Sequence, residues 1–433
     1  MKRIKFAFIL LFFLSGFSTL AQVKDTVRIM HYNLLYYGEA TTNCTANNNS
    51  VNNKDSYLKT IVNHVRPDIF TINEMGCNSV YARRIRDLVL NTVDSIYELT
   101  TLQVGSSQNI CNMLFYNTNK VKVASQEKIT TASNGTSIVR AIDLYELQFL
   151  STNLSENHIQ LDTPSTNFLT MHLKASSGTA NKAQREVAAA GVMEYLEANN
   201  NPGNYILSGD LNLYTHTEKA WENFTDWTAA SYNFYDPINR VGSWGNNSSF
   251  ADVHTQSTHT SQGCHSSGGM DDRFDFILAS KFIMEGRGSV TYIPGTYKAL
   301  GQDGNRFNGR LDTPTNNSAP SEVISAMYNM SDHLPVIMDV EVLFGQAPNA
   351  LDEVNQIVKP NVWVDSERNI NIASRATNVD YLIEVISTEG KLISSPVLTG
   401  NAFSGKELNA GIYIVKILEK NSGIYTNHKI IIK

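Results

Sequence analysis

Apolar, strand-like runs in this chain repeatedly end in polar side chains, and that recurrence limits the folds open to it. Val27 to Asn33 closes on an asparagine, and Asp68-Ile-Phe-Thr-Ile-Asn-Glu74 closes on a carboxylate. Asn167 to Leu173 carries His172, and the run from Tyr205 delivers Ser208-Gly-Asp-Leu-Asn212 into a loop. Asp332-His333 stands just ahead of Leu334 to Val342, and Asp271-Asp272 just ahead of Arg273 to Leu278. Polar groups that enter a sheet core are costly without partners. Such residues therefore belong at strand ends, gathered at one edge of a β core.

Two segments between the runs read as helices. Ser56 to His64 lies between the first two runs, and Lys182 to Glu197 is Ala-rich with good helix formers. Met113 to Tyr116 and Val139 to Leu144 complete the early strands. The pattern is mixed α/β, and two facing sheets with helices outside would bury this many apolar strands. Thr228 to Asp271 and Gly295 to Ser321 have the length of active-site loops or lids. Residues 345–360 read as a linker of Gly, Pro and Asn without a period. Beyond it, short strands (Val362 to Val364, Asn371 to Ala373, Tyr381 to Ser387, Ile412 to Leu418, Lys429 to Ile432) alternate with turn signals and form a small all-β sandwich.

Residues 1–21 read as a secretory signal: Lys2, Arg3 and Lys5, an apolar Phe6 to Phe17, then Thr19-Leu20-Ala21. Removing those three basic residues takes the formal net charge from −6 to −9. That balance argues against a tight binder of long nucleic acid, whose affinity comes from neutralised phosphates. It leaves room for an enzyme that works through a bound cation. Cys44, Cys77, Cys111 and Cys264 suit an oxidising exterior. Cys44 and Cys77 follow the first two strands and are the expected bridge, with Cys111 as a buried thiol.

Asp210 and Asn212 are two residues apart, so an extended chain points both to one side. The carboxylate can orient or deprotonate water, and the amide can donate to a phosphoryl oxygen without repulsion. Glu74 suits a hard cation such as Mg²⁺, which takes oxygen donors and few carboxylates. Asn33 could orient Glu74 or meet substrate. His172 alone is an ordinary strand histidine, but with His333 it supplies a second imidazole for proton transfer or hydrogen bonding. Asp332 could complete a metal shell. Asp272 or Asp275 could fix an imidazole tautomer, and Arg273 could meet a phosphate or brace the site. Trp227, Tyr232, Phe234, Tyr235 and Trp244, with Arg240, offer aromatics for either a nucleic-acid or a lipid-head-group substrate.

In order, Asn33, Asn73-Glu74, His172-Leu-Lys174, Gly209-Asp-Leu-Asn212, Arg273-Phe-Asp-Phe276 and Ser331-Asp-His333 resemble the signature of the endonuclease/exonuclease/phosphatase superfamily, in its deoxyribonuclease-I-like form. The resemblance spans residues 22–344, and Asn73 departs from it where many members have Gln. It implies a four-layer α/β/β/α sandwich with a divalent-metal site for Mg²⁺, Mn²⁺ or Ca²⁺. Glu74 would be the principal ligand, with Asn33 and Asp332 in or near the shell. Asp210 would handle the water or its proton and Asn212 the phosphate. His333 would be a catalytic histidine paired with Asp275, and Asp272 would partner His172. The implied activity is hydrolysis of DNA or RNA phosphodiesters by a monomer, with a sphingomyelinase-like or small-molecule phosphoesterase as alternative and a non-catalytic adhesion protein behind both. Residues 361–433, with Leu408-Asn-Ala-Gly411 before Ile412-Tyr-Ile-Val-Lys-Ile417 and a closing Lys429-Ile-Ile-Ile-Lys433, look like a type A sorting domain of the type IX secretion system, an immunoglobulin-like sandwich. That implies an outer-membrane secretion partner and a secreted or surface location.

Overall fold

The structure, a computed structural model, describes residues 23–92, 94–105, 108–151, 163–199, 201–344, 361–373, 381–388, 390–396, 402–419 and 424–433. The expected signal and linker segments lie outside the described residues. The first part of the chain runs β1 (Val23–Tyr37), α1 (Val51–Val65), β2 (Ile69–Gly76), α2 (Ser79–Leu88), β3 (Tyr97–Leu99), β4 (Ile110–Asn117), β5 (Val121–Thr131) and β6 (Ser137–Phe149). It continues with β7 (Ser165–His172), α3 (Thr179–Asn199), β8 (Tyr205–Asp210), α4 (Lys219–Thr225), β9 (Phe234–Tyr235), β10 (Asp275–Ser280) and α5 (Lys281–Glu285). β11 (Val290–Tyr292), β12 (Lys298–Ala299), α6 (Ser321–Met330) and β13 (Val336–Phe344) complete it.

These strands form two sheets, ordered β11-β13-β1-β2-β4-β3 (with β12 also on β13) and β5-β6-β7-β8-β10-β9. Each sheet has one parallel pair at its centre, β1 with β2 and β7 with β8. A parallel pair needs a crossover, and α1 and α3 are those crossovers. The faces sort by the two-residue period of a strand. On β1, Val27 and Ile29 join the cluster between the sheets, whereas Met30, Tyr32 and Leu34 pack outward with residues of α1, α2 and α6. Residues of α3 and α4 pack on the outer face of the second sheet. The layers are therefore α/β/β/α, as the resemblance implies.

The sequence reading finds most of the longer strands but misses helices α2, α4, α5 and α6 and strands β3, β5, β9, β11 and β12, which are short, sparse in apolar positions, or in or beside segments read as loops. The expected Cys44–Cys77 bridge is wrong. Cys44 joins Cys264, 220 residues away, and Cys77 joins Cys111, so Cys111 is buried but not a free thiol. The physical reason is strand pairing: Met75 and Gly76 on β2 lie opposite Cys111 and Ile110 on β4, which sets Cys77 beside Cys111.

In the C-terminal region, β14 (Asn361–Val364), β15 (Asn369–Ala373) and β18 (Ala402–Ser404) form one sheet. β16 (Tyr381–Ser387), β17 (Leu392–Ser394), β19 (Gly411–Glu419) and β20 (Ile424–Ile432) form another. Ile370/Ile372, Ile383/Val385, Val415/Ile417 and Ile430/Ile432 alternate into one shared cluster, the packing of an immunoglobulin-like sandwich.

Candidate active site

Strand direction gathers the polar ends. β1, β2, β7 and β8 finish at the same edge of the core, and the antiparallel β10 and β13 begin there. Asp275 lies opposite Asp210, and His172 also lies beside Asp210. The inward-facing column of each strand turns from apolar to polar as it nears this edge: Ile29, His31, Asn33 on β1; Ile69, Thr71, Asn73 on β2; Phe168, Thr170, His172 on β7; Ile206, Ser208, Asp210 on β8.

Glu74 is the exception to that alternation. Strict pleating would turn it away from Asn73, towards the helices. A register shift between Ile72 and Met75 and a left-handed φ of 59° at Glu74 re-aim it into the cleft. Facing it, the end of β1 turns through Leu35 and Tyr36, also at positive φ, and the Tyr36 N–H donates to Glu74 Oε2 (3.2 Å). Buried Lys54 holds that turn by donating to the Leu34 and Leu35 carbonyls at 2.6 Å each. Positive φ at non-glycine residues is strained and persists only when surroundings enforce it, which these contacts do.

Asn33 Nδ2 donates to Asp210 Oδ2 (3.0 Å) and Glu74 Oε1 (3.2 Å), and its Oδ1 accepts from Leu35 N–H (3.0 Å). Its amide nitrogen holds two carboxylates together, while its oxygen keeps a second lone pair. His333 Nδ1 meets Asp275 Oδ2 at 2.7 Å, and its Nε2 lies 3.7 Å from Asp210 Oδ2. His172 Nε2 lies 3.4 Å from Asp210 Oδ2 and 3.8 Å from Glu74 Oε1. The expected His172–Asp272 pair is not formed: among the described residues the carboxylates within salt-bridge reach of His172 are Asp210 and Glu74. Asp272 instead pairs its backbone with Gln256. Asn212 sits at φ 50°, with its N–H on Asp210 Oδ1 and its Nδ2 on the Leu173 carbonyl.

Arg273 does not face a phosphate. It is buried, forked onto Asp236 (2.8 and 2.9 Å), bonded to Tyr297 Oη and laid over Phe276, which makes it a brace beneath the site. Of the loop aromatics, Trp244, Tyr232 and Phe234 are buried in the layer beneath α3 and α4, Trp227 is partly buried against it and Tyr235 is exposed, while Arg240 pairs with Asp252.

Burial sets the charges. It pushes His172 well below the usual imidazole range, helped by nearby Arg140, so His172 is neutral with a lone pair to offer. Burial also raises Asp210 to about 7 and lifts Glu74 above the ordinary carboxylate range. Unlike His172, His333 moves well upward, because Asp275 and Asp210 outweigh its burial. Gln256 Nε2 lies 2.7 Å from His333 Nε2 and 3.2 Å from Asp332 Oδ2.

Glu74, His172 and Asp210 each offer a ligand atom, all within 4.8 Å of one another. Asp332 Oδ2 accepts from Ser266 N–H (2.8 Å), whereas its Oδ1 is buried without a hydrogen bond. An anionic oxygen left so is expensive, and a hard divalent cation beside Glu74 would satisfy it. The donor set therefore fits such an ion, with His172 and Asp210 closer to Glu74 than the sequence indicated.

The cleft holds about 460 Å³. Thr41, Asn43 and Cys44 form one wall and Gln262 to Ser267 another, and the Cys44–Cys264 disulfide clamps the two. Sequence reasoning missed Gln256, Arg140 and this clamp. Gln256 carries no motif, whereas Arg140, a lone cation on an alternating strand that donates to the Leu173 carbonyl, is a signal that could have been weighed.

No family model matches this chain, and no curated protein matches it. Among solved structures it is similar to the human Nocturnin catalytic domain with bound sulfate (TM-score 0.46, 14% identity, 74% of this chain and 97% of that one). It is also similar to an endonuclease/exonuclease/phosphatase family protein from Bacteroides thetaiotaomicron (TM-score 0.46, 14% identity, 74% and 97%). A third is D. rerio TDP2 complexed with single strand DNA product (TM-score 0.43, 14% identity, 73% and 98%). The fold and the chemistry of the site rest on this chain's own residues.

Proposed function

We propose that this protein is an exported, divalent-metal-dependent phosphoric ester hydrolase. The observation that carries the reading is the meeting of two units on Asp210: the Glu74/His172 donor cluster on one side and the Asp275–His333 pair on the other. A metal ion held by Glu74, with the free Asp332 oxygen and His172 at hand, would supply positive charge to the phosphoryl oxygens. Asp210, raised towards neutrality, takes the proton of the attacking water. His333, kept as imidazolium by Asp275, donates to the phosphoryl or leaving oxygen. Asn33 holds Glu74 and Asp210 in register. Asn212 lies on the cleft wall, where its amide can turn to the phosphate.

Nucleic acid, DNA before RNA, is the substrate class that the sequence motifs favour. One observation favours a second reading, a compact phosphoric ester. Among the described residues that line the cleft, Arg140 is the one lysine or arginine, and hydroxyls and amides such as Thr41, Asn43, Ser176 and Gln262 dominate the walls. Long polyanions are held by several such cations. The sorting-domain motifs and the signal-like N-terminus support export, with residues 361–433 addressing the secretion machinery.

The test is a panel of plasmid DNA, RNA, sphingomyelin, bis(p-nitrophenyl) phosphate and sugar phosphates, each with Mg²⁺, Mn²⁺ or Ca²⁺ and with chelator. Metal-dependent hydrolysis of at least one is expected. A folded protein that cleaves none of them with any metal refutes the enzyme reading, and preference for the small esters over DNA selects the second substrate class.

A further inference from the structure

Asp275 has two carboxylate oxygens, and the proposed mechanism uses one. Oδ2 meets His333 Nδ1 at 2.7 Å, whereas Oδ1 is buried and makes no hydrogen bond. Facing it at 3.8 Å is Nε2 of His31, on the neighbouring sheet, which is also buried and without a hydrogen bond. The other ring nitrogen of His31 lies 3.1 Å from Thr71 Oγ1, which lies 2.9 Å from Ser208 Oγ. With Ser208 donating to Thr71 and Thr71 to Nδ1, the neutral ring carries its proton on Nε2, aimed at Asp275. Both side chains have no measurable exposure, and each unpaired atom has the other 3.8 Å away, with Asn73 also beside the His31 ring. Burial holds the His31 ring in its neutral form, near 4, so the contact is a dipole on a carboxylate and leaves the Asp275 charge available to His333.

We propose that His31 is a positioning residue for the Asp275–His333 pair, anchoring the second oxygen of Asp275 so that the first stays aligned with His333. The inference rests on the hydrolase reading above, which gives His333 its role. Partners of this kind fix the ring orientation of a working histidine, and their loss costs about 10–100-fold in activity.

The experiment compares His31→Leu and His31→Gln with the wild type in the full chain. It measures kcat and KM on bis(p-nitrophenyl) phosphate with Mg²⁺, the thermal midpoint, and the far-downfield Nδ1–H proton resonance of His333. His31→Leu is expected to lower kcat by about 10-fold or more with KM within about twofold, and to shift or broaden that resonance. His31→Gln places an N–H donor near the same point and is expected to recover kcat to within about threefold. Wild-type kcat in His31→Leu overturns the proposal, as does equal loss in both variants or an unmoved resonance. If the wild type hydrolyses no ester, the hydrolase reading fails separately, and the resonance still decides whether His31 positions the pair.

Discussion

Arg185 offers a sharp energetic test, because it holds three parts of the cleft together from within the protein. Its Nε and Nη2 both donate to Glu218 Oε2 (2.9 and 2.7 Å), and Nη1 donates to the Lys174 and Ser176 carbonyls (2.7 and 2.8 Å). Glu218 Oε1 in turn accepts from Tyr214 N–H. The pair is sealed, at 0% and 2% side-chain exposure. Arg185→Met removes the guanidinium and leaves Glu218 buried and alone, a change that costs about 3–5 kcal/mol in comparable pairs. An independent ceiling comes from protonation: neutralising a carboxyl of ordinary pKa at about pH 7 costs roughly 3.7 kcal/mol. Two carbonyls also lose a donor, at about 1 kcal/mol each. A net loss of about 5–6 kcal/mol follows, lowering the midpoint by roughly 10 °C or more.

Urea unfolding followed by the fluorescence of Trp221 and Trp244, which pack in the same cluster as α3, reads this directly. Arg185→Met/Glu218→Leu should regain much of the loss, since an apolar pair can replace a buried ionic one. A penalty below about 1 kcal/mol would refute the view that Arg185 neutralises a buried carboxylate.

Glu74→Gln is expected to lower hydrolysis by at least about 100-fold and to abolish the thermal stabilisation that Mg²⁺ gives the wild type; an unchanged metal response would place the ion elsewhere. Replacing Cys44 and Cys264 together by Ser releases a 220-residue closure and should cost up to about 5 kcal/mol, read by urea unfolding. Burial raises Asp143 to about 8, so its folded pKa exceeds its unfolded value and stability drains away as pH rises between those two values. Asp143→Asn should thus gain on the wild type as pH rises from about 4 to 8, and parallel stability curves would contradict that.

Much of the site was legible because it is written at strand ends. Polar residues at a two-residue spacing, His31/Asn33, Thr71/Asn73, Thr170/His172 and Ser208/Asp210, mark where each inner face leaves the apolar core. Asp275 with His333 followed from motif position and is met at 2.7 Å. Glu74 was legible as a carboxylate but not in its aim, since alternation alone turns it outward. Arg273 and Asp272 look alike as charged residues at a strand entrance. Burial against Asp236 makes the first a brace, and the path of the Gln256 loop takes the second away from His172. Trp244 and Phe234 read as loop aromatics because nothing local reveals that α3 and α4 leave room beneath them.

Residue order alone determined most of the longer strands, which face of each is apolar, and that the acids, amides and imidazoles fall at one edge. These follow from side-chain alternation and from where a polar group can leave a core, both local in the chain. Only the tertiary structure decided which carboxylate meets which histidine, that Cys44 reaches Cys264 rather than Cys77, and that a left-handed residue turns Glu74 inward. Those outcomes depend on how two sheets from distant parts of the chain face each other. A shift of a few ångströms in that packing would exchange the partners without changing a residue.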